Sequence, residues 1–221
     1  MPSPFLLLQL ADSAFPTGGF AHSGGLEAAY QLGEIDGPEG LAKLLVESLD
    51  QAGHGALPLV SAAHGAPERL PELDHLCDAF TTNHITNRAS RAQGQAWLAT
   101  AAATFGDPAI GALRVQVRAE GLFGHLAPVF GAITRILGVV LDDAQKLFLF
   151  LHLRSLVSSA VRLNAIGPIG AQSLQHRLGE QALRVWGRCR ALGPEDLAQT
   201  SPLLDLFQGH HDRLYSRLFS S

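Results

Sequence analysis

The stretch DAQKLFLFLHLRSLVSSAVRL, Asp143 to Leu163, decides the fold. Leu147, Phe148, Phe150, Leu151, Leu153, Leu156, Val157 and Val161 surround a helix drawn through it on nearly every side. A helix without a polar face lies inside the molecule, covered by its neighbours. Asp142 followed by Gln145 resembles a capping box that opens it.

Outward from this central helix, other segments carry the same period. Leu41, Leu44, Leu45 and Leu49 share one helical face, as do Leu73, Leu76, Cys77 and Phe80. The alanine-rich run from Asn87 to Phe105 predicts another packed helix, its small side chains permitting close approach. Proline opens four segments: Gly37-Pro38-Glu39, Leu70-Pro71-Glu72, Asp107-Pro108 and Gly193-Pro194-Glu195. Proline is tolerated at a helix start because its missing N–H would have had no partner there, and glutamate complements the positive helix end. Strand-like alternation is confined to Arg114 to Arg118. The expected fold is all-α: a single-domain helical bundle over residues 1–221, with about nine or ten helices around a central buried one and no repeat or domain linker.

Of the 221 residues, 47% are hydrophobic and 16% charged, against roughly 25% charged in an average soluble domain. Disorder needs the opposite balance. So few charges leave part of the surface apolar, and such surface is usually covered by a partner. A net charge of −4 offers no general attraction to nucleic acid or to an anionic membrane. No stretch approaches the roughly 20 apolar residues of a membrane span, and the short apolar run Phe5 to Leu10, stopped by Asp12, lacks the basic flank of a secretion signal. Cys77 and Cys189 stand alone, without the spacing of a disulfide framework or a thiolate zinc site. A cytoplasmic location is expected.

The motifs that most often carry chemistry are missing from the sequence. There is no GxxxxGK[ST] to cradle nucleotide phosphates, no GxSxG elbow and no HExxH. Asp12, Ser13, His22 and Ser23 supply the members of a Ser/His/Asp set on paper; the same residue types serve as turn and cap residues around a glycine-rich bend. Gly18, Gly19, Gly24 and Gly25 suit a loop needing positive φ or close backbone approach, and no basic anchor for a phosphate accompanies them. The ten histidines are scattered. None has another at i+4, and in His210-His211-Asp212 adjacent helical side chains point about 100° apart. A transient or subunit-bridging nickel or zinc site stays open as an alternative to structural roles.

From Leu203 to Ser221, Phe207, His211, Leu214 and Leu218 recur at helical spacing. Arg213, Tyr215, Arg217 and Phe219 combine the arginine and aromatic side chains that anchor interfaces. A partner-binding tail over residues 203–221 and a last helix docked on its own core fit this pattern equally.

The run Asp12-Ser13-Ala14-Phe15-Pro16-Thr17-Gly18-Gly19-Phe20-Ala21-His22-Ser23, followed by Gly25-Leu26-Glu27, resembles the N-terminal signature of the urease accessory protein UreF family. Gly124-His125-Leu126-Ala127-Pro128-Val129-Phe130-Gly131 is similar to the family's mid-chain loop and helix start. Ser159-Ala160-Val161-Arg162-Leu163, then Ile166-Gly167-Pro168 and Ala171-Gln172, matches a further block. Leu214-Tyr215-Ser216-Arg217-Leu218-Phe219 resembles its ending. The order is that of the family over nearly the whole chain. Departures fall at Gly24, where a bulkier residue is expected, and at Asn164, where glycine is expected. Gly53 to Glu72 matches no family block.

The resemblance implies an all-helical, dimeric protein that binds UreD (UreH in some organisms). That pair recruits the GTPase UreG to apo-urease and helps install its two-nickel centre. It implies a non-enzymatic scaffold with no catalytic residue, no metal ligand and no cofactor of its own; GTP belongs to UreG and nickel to the complex. In the family the tail becomes ordered on binding UreD, and an arginine near its end supports the surface that receives UreG. That position is Arg217, expected at an interface with Tyr215, Leu218, Phe219 and Arg213. Arg162 is expected either to support the dimer or UreG-facing surface or to tie the central helix to neighbouring carbonyls. Phe15 to His22 is expected near the UreG-facing side, unless its glycines serve only the turn. Two other readings remain: a nickel carrier that binds the metal through its histidines, and a helical enzyme built on Asp12, Ser13 and His22.

Overall fold

A computed structural model describes residues 4–221. They form eleven α-helices: α1 (Pro4–Ala11), α2 (Leu26–Gln31), α3 (Gly37–Gly55), α4 (Leu57–Gly65), α5 (Leu70–Phe80), α6 (His84–Phe105), α7 (Pro108–Ala119), α8 (Leu126–Ile136), α9 (Leu141–Arg162), α10 (Pro168–Cys189) and α11 (Pro202–His210). Short 3-10 turns join some of them, and no strand occurs among the described residues. The fold is all-α, as the sequence predicts. Helices α3 and α4 are separated only by Ala56.

Three of the four proline openings start α-helices, at Pro38, Pro71 and Pro108. Asp107 caps the last of these, accepting the Ala109 N–H at 2.8 Å. Gly193-Pro194-Glu195 makes only the 3-10 turn Pro194–Asp196, because Asp196 turns back to accept the Gly193 N–H at 2.9 Å. Helix α6 starts at His84, earlier than the alanine pattern suggests, since Asn83 accepts the Ile85 and Thr86 N–H groups at 3.0 and 3.3 Å. The alternating residues Arg114 to Arg118 are helical, with Ile110, Leu113 and Val117 of α7 turned inward.

The central helix is α9, packed on α10, α3, α4, α8, α1 and α2. It opens from Val140, with no side-chain cap. The expected capping box fails because Gln145 is pulled inward: its amide donates to Ser61 Oγ (2.7 Å) and the Arg190 carbonyl (3.0 Å), and its oxygen accepts from Trp186 Nε1 (2.9 Å). A buried amide satisfied at every turn joins α4, α9 and α10 more usefully than a cap would.

A second helix is buried more completely. In α8 every residue from Ala127 to Thr134 is buried, and it packs on α4, α5, α6 and α7. Gly131 makes its contact with α4 possible: a Cβ there would lie 2.2 Å from the Val60 carbonyl oxygen. The start of α8 is held by Asp74, which is fully buried and accepts the N–H groups of Phe123 (2.7 Å), Gly124 (3.1 Å) and His125 (2.7 Å). Three amide donors offset the cost of burying that carboxylate and fix where the helix begins. Phe15, Trp97, Phe130 and Phe148 meet in succession, mostly edge to face, with centroids 5.3, 5.0 and 5.4 Å apart, linking the segment after α1 to α6, α8 and α9. One core cluster runs from Leu10 to Leu204 and includes Leu57, Leu59, Val60 and Leu70 of the tract Gly53 to Glu72.

Candidate interaction surface

The glycine-rich segment, the end of α9 and the tail meet on one side of the molecule. Gly24 and Gly25 have φ of 60° and 89°, the left-handed region open to glycine, and Gly25 starts α2 directly. Glycine suits position 24 on a second count, for a Cβ there would lie 2.9 Å from Leu156 of α9. Asn164 is the one non-glycine described residue with positive φ, at 57°, just past the end of α9; asparagine tolerates that conformation where glycine was expected.

Side chains of α9 hold the segment from below. Ser155 donates to the Gly19 carbonyl (3.2 Å), Ser159 to that of His22 (3.4 Å), and the Arg162 guanidinium to that of Phe20. Arg162 also lies 4.2 Å from the ring centroid of Phe219 and 5.8 Å from that of Phe20. It therefore ties the central helix to a neighbouring carbonyl and grips the tail through cation–π contact.

The tail is docked on this platform. Helix α11 ends at His210 and a 3-10 turn covers His211–Arg213. The helical spacing that extends to Leu218 is not realised beyond that turn, because the later backbone donors are taken by other partners. Glu27 of α2 accepts the N–H of Leu218 (2.6 Å) and of Phe219 (3.3 Å). Ser220 N–H donates to the Ala21 carbonyl (2.8 Å), and Ser23 N–H to that of Ser221 (2.6 Å). The side chains then alternate, Leu218 and Ser220 outward, Phe219 and Ser221 inward. Gln31 donates to the Ser216 carbonyl at 3.0 Å.

Each residue expected at an interface has a definite place here. Tyr215 is fully exposed, and Arg213, Arg217 and Leu218 are exposed. Phe219 is buried inside its own chain under Arg162. His22 is half-buried, with Nδ1 hydrogen-bonded to Ser221 Oγ; burial, then the charges of Arg88 and His211, push its pKa down. Arg217 pairs with Asp212 at 3.1 Å, as do Arg88 (3.0 Å) and His84 (3.4 Å). The hydrogen bond from Arg88 is the largest cause holding the Asp212 carboxyl below its usual range. Two arginines and a histidine converge on this one carboxylate.

Asp12, Ser13 and His22 do not form a reacting set. Asp12 caps Ala14 N–H at 2.8 Å on the exposed surface, His22 turns to Ser221, and the buried Ser23 hydroxyl has no partner among the described residues. No group of three or more His, Cys, Asp or Glu comes together to hold a metal among the described residues. No helix among them is long and apolar enough to cross a membrane.

Glu27 and Arg88 belong to the site although sequence reasoning assigned neither a role there, and His211, read in the sequence only for its spacing and its histidine neighbour, is part of it too. Glu27 reads as an ordinary acidic residue in a first helical turn, and only the chain path shows that its carboxylate faces residues 218 and 219. His211 is buried, its Nδ1 3.7 Å from Glu27 Oε2 and neither ring nitrogen hydrogen-bonded among the described residues; burial pushes its pKa down. Beneath the glycine-rich segment a cavity of about 510 Å³ is lined by Ser48, Trp97, Phe130, Phe148, His152 and Ser221 among others. His152 Nε2 lies 2.8 Å from Ser48 Oγ, and burial lowers its pKa to about 4, so the ring is neutral at pH 7.

Fold and surface together define an all-helical protein whose tail is docked on its glycine-rich segment, α2 and the end of α9. The UreF family model matches residues 35–179. Urease accessory protein F of Oryza sativa subsp. indica is 40% identical over 215 residues, covering 96% of this chain and 82% of its own. That of Arabidopsis thaliana is 40% identical over 220 residues, 96% and 90%. UreF of the bacterium Trichodesmium erythraeum is 29% identical over 226 residues, 97% and 95%. The chain belongs to the UreF family of urease accessory proteins.

Proposed function

We propose that this chain is a non-enzymatic scaffold of urease maturation in the cytoplasm. It binds UreD, recruits the GTPase UreG, and presents both to apo-urease, coupling GTP hydrolysis to assembly of the nickel centre. GTP is held by UreG, nickel passes as cargo of the complex, and the working unit is a homodimer. Family membership supports the place in urease maturation.

The observation that carries the choice of surface is the docked tail. Where the resemblance implies a tail ordered only on binding UreD, here it is already docked on its own chain; Tyr215, Arg217 and Leu218 project from backbone held by Gln31 and Glu27, so a partner meets them with little ordering cost. Arg213 extends the surface, while Phe219, Arg162 and His22 support it from beneath. The sparse charge of the chain suits the apolar centre of such an interface.

Co-purification with UreD and UreG tests this reading, using the full chain, Arg217→Ala, and a chain lacking residues 214–221. Assembly is expected to fall with Arg217→Ala and to vanish on truncation, while circular dichroism of each variant stays helical. Assembly indifferent to both changes would place the working surface elsewhere.

A further inference from the structure

Glu27 is 1% exposed, and no arginine or lysine among the described residues pairs with it. Burying a carboxylate is costly unless its oxygens are satisfied. The hydrogen bonds that satisfy this one come from the tail's own backbone, the N–H groups of Leu218 and Phe219. The imidazole beside it, His211, stands at 3.7 Å, outside hydrogen-bond reach.

Two consecutive amides held by one carboxylate fix a chain's register as well as its position. Residues 218 and 219 lie in a bend, which turns their two N–H groups to one side, where a single carboxylate reaches both. Gripping both N–H groups fixes that bend, in which Leu218 is exposed and Phe219 is buried under Arg162. The main-chain bonds at Ser220 and Ser221 continue that register toward Ala21 and Ser23. Those bonds are backbone to backbone and permit a slipped pairing, whereas the carboxylate of Glu27 offers its oxygens at one place only.

We infer that Glu27 is the positioning residue of the tail: it sets the register that turns Tyr215, Arg217 and Leu218 toward a protein partner. This rests on the proposed function, in which the tail surface is where UreD and UreG assemble. It assigns that surface's geometry to a residue of α2 that does not itself reach the partner.

The test compares the full chain with Glu27→Gln and Glu27→Leu by residue-resolved amide hydrogen exchange, and measures assembly with UreD and UreG. Glutamine keeps one acceptor oxygen and leucine none. Protection of the Leu218 and Phe219 amides is expected to fall in the order Glu, Gln, Leu, by about tenfold or more at the last step, with protection in α8 and α9 unchanged. Affinity in the assembly should fall in the same order. Unchanged exchange at residues 218 and 219 overturns the inference. So does raised exchange with undiminished assembly in a system where truncation of residues 214–221 abolishes it. Loss of α8 and α9 protection in both variants would make Glu27 a general fold residue and overturn it too. If truncation leaves assembly intact, the scaffold surface itself is misplaced, and the exchange data still decide whether Glu27 holds the tail.

Discussion

Asp74 and Glu27 are the same device in two places. Each is a buried carboxylate that accepts backbone N–H groups from a segment distant in sequence. Asp74 grips the turn into α8, and the helix beyond that turn is buried at every position from Ala127 to Thr134. Glu27 grips a tail in which only Phe219 and Ser221 are buried beyond the last helical turn. The chemistry is shared, while the packing behind it is not. Hydrogen bonds to a charged group fix a path, and apolar burial decides how much of the fold depends on that path. At α8 the whole domain depends on it; at the tail, only a surface.

The largest effect should come from breaking the core grip. Asp74→Ala strands three N–H groups at the start of α8, two of them buried, so stability should fall by about 3–5 kcal/mol, read as a thermal midpoint lower by roughly 10 °C or more. A midpoint within a few degrees of the parent protein would show that α8 is positioned by packing alone, and the parallel with Glu27 would fail.

Acid probes both regions at once. His152 has its pKa lowered to about 4 by burial, and burial likewise lowers His125 near Asp74 and His22 and His211 beneath the tail. A histidine held neutral in the native state leaves the unfolded chain to take the proton first. Its contribution is therefore complete above pH 6.5 and is lost as pH falls toward the native pKa. For His152 alone the loss between pH 6.5 and 4 should be roughly 3 kcal/mol. Denaturant melts across that range should slope downward in the parent protein and less steeply in His152→Gln. Equal slopes would mean that the ring beside Ser48 is hydrated and free to charge.

The all-α class and the central position of α9 were legible because apolar residues on every face leave a helix no other place. Proline openings were legible where a helix of useful length came next, and misleading at Pro194, where the chain had only a turn to make before α11. The deep burial of α8 was not legible from period alone: its run of small and branched residues looks like many amphipathic segments until Gly131 is seen against the Val60 carbonyl. In the tail the residue types pointed to an interface, but the period suggested a helix past Leu214. That failed because Glu27, nearly the whole chain away, takes the amides a helix would have used. A contact between residue 27 and residues 218 and 219 leaves no periodic trace in either segment.

The smallest expected effect on stability falls at the most prominent side chain. Tyr215 is fully exposed and makes no hydrogen bond or ring contact among the described residues, so Tyr215→Ala should change stability by no more than about 0.5 kcal/mol. The same substitution should weaken assembly with UreD and UreG by about tenfold or more if Tyr215 is an interface anchor. The pairing of those two results is what separates a display surface from a docked terminus. A side chain kept out of its own core is useful only to something outside it, whereas Phe219, nearby on the same segment, serves the fold by being buried. A large loss of stability in Tyr215→Ala would erase that distinction and join the tail to the core. Normal assembly would leave Arg217 and Leu218 to carry the surface without the aromatic at its centre.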